Sequence, residues 1–195
     1  MNPLASLCAV TLIMLQGQGA TAQKPIAETN HSTIQFSVPI SNGLTRITGK
    51  FNEFTIDVDL VDHDIAKSTI SAKIKVNSIN TGNPGRDLDL LTKDFFEADQ
   101  FPEITFTSNQ IIKTDNGYVA RGQFQMHGIT KPIEIPFRIT GQSSETVIGF
   151  SARASIKRSD FGVGTEWKHT TDDHFISDEI GVEIDFWTKK SREKK

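Results

Sequence analysis

The sequence predicts an all-β, antiparallel domain, either a closed barrel or a sandwich, preceded by an export leader. Three observations carry this. Apolar residues alternate with polar ones at period two along nearly the whole chain after residue 30, the signature of strands with one face buried and one face wet. A wet face implies antiparallel pairing, because parallel sheets are covered on both sides. The first twenty-two residues follow a different pattern, that of a segment removed on export.

The leader comes first. Leu4 to Leu15 is apolar apart from Ser6, Cys8 and Thr11, and it ends in Ala20-Thr21-Ala22. A short apolar run before a small-residue A-x-A pattern reads as a signal peptide cut after Ala22, although no Lys or Arg precedes the run. Residues 1–22 are then the leader and residues 23–195 the folded domain, with a periplasmic or extracellular destination. Cys8, the one cysteine, leaves with the leader. A domain of about 170 residues buries enough core to need no disulfide.

The strands follow in order. Ile34, Phe36 and Val38 lie two apart, as do Ile56, Val58 and Leu60, then Ile70, Ala72, Ile74 and Val76. The pattern returns in Ile104 and Phe106, in Gly122, Phe124 and Met126, and in Ile133, Ile135, Phe137 and Ile139. Ile148, Phe150, Ala152, Ala154 and Ile156 form the longest series, and Ile180, Val182, Ile184 and Phe186 the last. Eight or nine such strands suit a barrel or sandwich. Asp115-Asn116-Gly117 is a hairpin turn, and Gly128 and Gly141 mark two more. Pro136 cannot donate to a ladder, so it predicts a bulge or a place where neighbouring strands part. Between Arg86 and Ala98 the period changes: Leu88, Leu91 and Phe95 fall at helical spacing, predicting a helix of up to three turns that closes one barrel end. Gly162 to Ser177 is a long polar loop, of the kind that is usually functional or mobile.

Composition excludes several classes of function. Twenty-one basic and twenty-four acidic residues give a net charge of −3, and no basic stripe in the domain suits nucleic acid. Lys189, Lys190, Arg192, Lys194 and Lys195 cluster at the C-terminus. They read either as a solubilising tail or as a transient contact with anionic lipid headgroups. No G-x-S-x-G elbow or phosphate-cradling glycine loop is present, and no enzymatic activity is expected. His169 and His174 bracket Asp172 and Asp173 without zinc spacing, so no metal is expected. Asp57 and Asp59 lie on an outward strand face.

The inward face holds the candidate site. Phe36, Phe51, Phe106, Phe124, Met126, Phe137, Phe150 and Phe186 stand around the small residues Gly49, Ala72, Gly122, Ala152 and Ala154. Aromatic walls with small residues between them make an apolar tunnel. The same pattern also fits a filled core in which Phe meets Ala, and alternation alone does not separate the two.

The chain resembles the YceI-like proteins along its whole mature length. The resemblance begins at His31-Ser32-Thr33-Ile34-Gln35-Phe36 and Gly49-Lys50-Phe51-Asn52-Glu53-Phe54. It continues through Arg86-Asp87, Leu90, Asp94-Phe95-Phe96 and Phe101-Pro102-Glu103-Ile104-Thr105-Phe106. It closes with Gly122, His127-Gly128-Ile129-Thr130-Lys131-Pro132, Arg158-Ser159-Asp160-Phe161-Gly162 and Ser177-Asp178-Glu179. The resemblance implies an eight-stranded, lipocalin-like barrel without the G-x-W motif of true lipocalins. It also implies a bore that holds a polyisoprenoid or similar amphiphile, such as an isoprenoid quinone, and it is compatible with a homodimer; the alternatives are an enzyme acting on the bound isoprenoid and an interaction module in which the lipid is structural. Phe36, Phe51, Ala72, Phe106, Phe124, Met126, Phe137, Phe150, Ala152, Ala154 and Phe186 are then the expected lipid-binding residues. Arg158 continues the inward phase of Ala152, Ala154 and Ile156, and Arg86 opens the helical segment. Both are candidate headgroup ligands. The competing reading of each is a local ion pair, Arg86 with Asp87 or Asp94 and Arg158 with Asp160 or Asp178.

Overall fold

The computed structural model describes residues 25–170, 172 and 175–190. The leader, its cleavage site, the end of the basic tail, Asp173 and His174 lie outside the described residues. Alternating apolar residues form eleven strand segments: β1 (Pro25–Ala27), β2 (Thr33–Ile40), β3 (Thr45–Phe51), β4 (Phe54–Val61), β5 (Asp64–Lys75), β6 (Ile79–Asn80), β7 (Glu103–Thr114), β8 (Gly117–Met126), β9 (Ile129–Ser144), β10 (Val147–Lys157) and β11 (Glu179–Lys190). One α-helix, α1 (Pro84–Leu91), lies between β6 and β7.

The register reduces these segments to eight staves. β1 and β2 both pair with β11, Ala27 with Thr188 and Ile34 with Ile184, so they are one strand interrupted at Glu28–Ser32. β3 runs on into β4 through Asn52–Glu53, and β5 into β6 through the turn Val76–Ser78. Both joints are bridged by matching pairs, Phe54 with Ile74 and Phe51 with Ile79. Each stave is antiparallel to the next, and β1 pairs with both β11 and β4, which closes the ring. Of the barrel and the sandwich that alternation allows, this is the eight-stranded barrel that the family resemblance implies.

The closing seam has its own fastening. Glu28, buried, accepts hydrogen bonds from Lys189 Nζ at 3.0 Å and from the His31 backbone N–H at 3.2 Å, and its carboxylate lies 2.8 Å from His31 Nδ1. Lys189 and then His31 hold its carboxyl down to a pKa of about 2. Lys189 therefore fastens β11 to the N-terminal strand, which is structural work for one residue of the basic tail.

Two expectations need correction. Gly141 is not a turn: it lies within β9 opposite Gly149, and the turn falls at Glu145–Thr146 because β9 runs three residues further before reversing. The helix is shorter than its periodicity suggests. Asn83 caps α1 by accepting from the N–H groups of Gly85 and Arg86, and the helix stops at Leu91 because Thr92 is extended. Leu88 is 68% exposed; Leu90, Phe95 and Phe96 are the residues that turn inward. Helical spacing misplaced Leu88 alone: Leu91 packs against the core, and Phe95 reaches the cavity from the turns that follow the helix.

Pro136 marks the place where strands part. β9 and β10 are paired from Ser144–Val147 up to Phe137–Ala152 and no further. Beyond that point β9 pairs only with β8 and β10 only with β11.

The ends of the barrel differ. The turns at Asp62–His63, Asp115–Asn116 and Glu145–Thr146, the start of β1 and the end of β11 lie at one end, the floor. The β2–β3 turn, α1 with the segment after it, the β8–β9 turn and residues 158–178 lie at the other, the mouth.

Candidate lipid-binding bore

The barrel encloses an apolar cavity of about 500 Å³, within the size range of small-molecule sites. All eleven apolar residues singled out in the sequence stand on its wall: Phe36, Phe51, Ala72, Phe106, Phe124, Met126, Phe137, Phe150, Ala152, Ala154 and Phe186. Arg86 and Arg158 stand at its rim with Asp89. Alternation places them because a closed sheet turns every second side chain inward.

The small inward residues do not all make room. A Cβ at Gly49 would lie 2.3 Å from Cζ of Phe36, whose ring lies across the glycine. A Cβ at Gly122 would lie 2.2 Å from the carbonyl oxygen of Thr107, where a bulge in β7 brings backbone against β8. Both glycines serve close packing. Ala72 and Ala154 are the positions where a short side chain leaves the wall half-exposed to the bore.

The floor is filled. Phe150 stacks on Phe186 with centroids 4.7 Å apart, and Tyr118 on Phe137 at 5.3 Å. Below them Val58, Ile65, Ile111 and Ile148 are buried, and two hydroxyls replace ladder bonds where strands diverge. Ser108 Oγ accepts from Ile70 N–H at 2.8 Å, and Thr188 Oγ1 accepts from Ile148 N–H at 3.1 Å while donating to the Thr146 carbonyl. The cavity lies in the middle and toward the mouth: Phe36, Val38, Ile74, Ile133, Ile135, Ala154, Ile156, Val182 and Ile184 point inward yet are only half-buried.

An aromatic cover lies across the mouth, and the sequence pattern did not reveal it. Phe95 contacts Trp167 at 6.0 Å, Trp167 contacts Phe175 at 6.2 Å, and His169 stacks on Phe175 at 4.1 Å. Phe96 meets Phe51 beneath them at 6.4 Å. Val163, Trp167, Phe175 and Ile176 line the cavity from irregular backbone, where no period exists to signal them, and Leu90 lines it from α1.

Arg158 holds that cover. Its Nε donates to the Ser177 carbonyl at 3.1 Å. Nη1 donates to Val163 at 3.0 Å and Gly164 at 2.7 Å, and Nη2 to Ile176 at 3.3 Å. Neither of the expected carboxylates pairs with it. Asp160 binds Lys131 at 2.6 Å, and Asp178 accepts from the N–H and hydroxyl of Ser159. Ser159 and the nearby charges of Arg158 and Lys157 hold the Asp178 carboxyl below its ordinary range, against the opposing effect of burial. Arg86 likewise forms no ion pair with Asp87 or Asp94 among the described residues: Nε and Nη2 donate to the hydroxyl and carbonyl of Thr81, and Asp87 accepts from the same threonine. The local pairing fails because turn backbone and hydroxyls are nearer than the carboxylates.

The YceI-like domain model matches residues 26–187. The chain belongs to the YceI-like family. A UPF0312 protein of Yersinia enterocolitica is 30% identical over 168 residues, covering 84% of this chain and 87% of the relative. Among solved structures, the Campylobacter jejuni YceI protein is 30% identical with a TM-score of 0.66, over 77% of this chain and 88% of that one. Burkholderia cenocepacia BcnA has a TM-score of 0.75 at 24% identity, over 84% and 99%. A polyisoprenoid-binding domain from Saccharophagus degradans has a TM-score of 0.67 at 17% identity, over 87% and 99%. The YceI-like fold is thus shared across these sequences, and with it the closed eight-stave barrel.

Proposed function

We propose that this protein binds a long-chain isoprenoid, or an amphiphilic lipid of similar shape, in its bore and carries it outside the cytoplasm. The observation that carries the proposal is the apolar cavity open in the middle of a barrel whose floor is packed. An interior meant only as core would be filled, since protein interiors pack as densely as organic crystals. The polyisoprenoid-binding neighbour from Saccharophagus degradans supports the choice of ligand class.

The energetics suit a chain rather than a compact polar molecule. Each CH₂ taken from water contributes about 0.8 kcal/mol, so a dozen buried carbons gain on the order of 10 kcal/mol before association costs. Few polar groups line the wall, so selection of the head falls to the rim. Arg158 already uses four N–H donors on carbonyls, whereas Arg86 uses two on Thr81. Arg86 is therefore the better placed of the two to meet a head. The proposal is of a binding protein and not of an enzyme. Its export rests on the leader read in residues 1–22.

Native mass spectrometry of protein purified from the exporting host, followed by analysis of its organic extract, tests the proposal. The expected result is a stoichiometric, unconverted long-chain lipid on a chain that begins at Gln23. A protein that carries no lipid and takes up none after delipidation overturns it.

A further inference from the structure

Resting on that reading, we propose that the unpaired wedge between β9 and β10 is a side portal through which a long apolar chain enters and leaves the bore. Such a chain needs an opening, and the two barrel ends are poor ones. The floor is packed, and the mouth lies under Phe95, Trp167 and Phe175, with the carbonyls of Val163, Gly164, Ile176 and Ser177 held by four hydrogen bonds from Arg158.

The wall between β9 and β10 is different, and the sequence makes it so. A proline within a paired strand must turn its missing N–H away from the partner. Pro132 and Pro136 are both in register with β8, opposite Gln123 and Val119, so the absent donors face β10. Every second residue faces that way, which leaves Thr130 and Glu134 as the donors between Ile129 and Phe137. With half of β9's own donors toward β10 missing, the ladder is weakened where it would continue, and the pairing of β9 with β10 stops at Phe137–Ala152. Bore-lining residues flank the wedge on both sides, Ile133 and Ile135 on β9 and Ala154 and Ile156 on β10, and all four are half-buried.

A second parting, between β5 and β7 toward the floor, shows the contrast. There the Ser108 hydroxyl bridges the strands, Ile65, Ser68 and Ile111 are buried, and none of these four lines the cavity. The wedge between β9 and β10 meets the cavity along its length. At its rim the ion pair between Lys131 and Asp160 spans from β9 to the turn after β10, with the Lys131 amino group 5.8 Å from the centroid of the Phe161 ring. Both partners of that pair are substantially exposed, so it is a weak latch.

The test tethers the wedge. In full-length protein with Cys8→Ser, which leaves no other cysteine, Glu134→Cys and Ser155→Cys place thiols on the outer face of the two edges. They stand opposite one another if the register of Phe137 and Ala152 is continued. A short bismaleimide joins them, and mass spectrometry confirms the tether. A matched control joins Asp94→Cys to Lys168→Cys, beside the Phe95–Trp167 contact of the cover. Stopped-flow fluorescence with dansyl-labelled geranylgeraniol then reads binding and release by delipidated protein.

The wedge tether should slow both rates about tenfold or more with little change in affinity, as expected when a gating motion is blocked, and the cover tether should leave them unchanged. Lys131→Glu, which opens the latch without any cross-link, should speed exchange by up to about fivefold, the most an exposed pair holds. Unchanged rates with the wedge tethered, or slowing confined to the cover tether, would overturn the portal while leaving lipid binding intact. A parent protein that takes up no probe would overturn lipid binding itself and the portal with it.

Discussion

The two ends of this barrel are built from the same alternating strands and reach different states. Toward the floor, inward side chains meet one another: Phe150 is 2% exposed, Val58 and Thr188 are fully buried, and hydroxyls replace ladder bonds where strands separate. Toward the mouth the inward residues are of the same types but border a cavity, and the chemistry moves to irregular segments above it. The difference teaches that alternation fixes which way a side chain points and not whether it finds a neighbour. What separates the halves is burial: the pairing of β9 with β10 ends at Phe137–Ala152, and their inward residues beyond it are only half-buried.

The largest expected effect tests whether the halves differ in packing. Phe150→Ala should destabilise the ligand-free protein by about 3–5 kcal/mol, as large-to-small changes in filled cores do. Phe36→Ala, at a ring that is only half-buried, should cost about 1–2 kcal/mol, the value of partial burial. Urea unfolding of both variants reads this directly, and equal losses would remove the distinction between the halves.

A finer test places the boundary. Ala152 is only 8% exposed and sits opposite Phe137, at the last pair before the strands part, whereas Ala154 is two residues closer to the mouth and half-exposed. Ala152→Phe should overpack and cost about 1–3 kcal/mol. Ala154→Phe should leave stability within about 0.5 kcal/mol of the parent while lowering the capacity for a fluorescent lipid. If both lose stability to the same degree, the bore is filled further up than its geometry shows.

The smallest effect concerns the floor seam. Glu28 titrates near 2 in the folded chain because Lys189 and His31 bind its carboxylate. A depressed folded pKa adds stability above the ordinary carboxylate pKa and loses it as pH falls toward the folded value. The melting-temperature advantage of the parent over Glu28→Gln should therefore be full at neutral pH, shrink below about pH 4.5 and vanish near pH 2. An advantage that persists unchanged to pH 2 would show that the seam does not depend on the carboxylate charge.

The cover and the headgroup candidates were the least legible parts of the site. Trp167 and Phe175 sit in a stretch whose composition is polar, and nothing local marks them as cavity lining. Arg158 was placed correctly at the rim by its phase with Ala154 and Ile156, but its partners are carbonyls from residues up to nineteen positions away. No sequence rule identifies a backbone carbonyl as a ligand, since every residue has one. Leu88 shows the opposite error: it fits a helical period and lies within the helix that forms, yet it faces solvent.

The sequence by itself determined the all-β class, the antiparallel pairing, the inward face and an irregularity in the ladder at Pro136, either a bulge or a parting of strands. Each follows from local chemistry: side-chain alternation, turn residues, and the missing donor of proline. Tertiary structure alone decided that β1 closes the ring, that Gly49 and Gly122 serve packing instead of space, that the floor fills while the middle stays open, and that Arg158 holds a loop over the mouth. These depend on distances between segments far apart in the chain, and a pattern of period two carries direction but no distance.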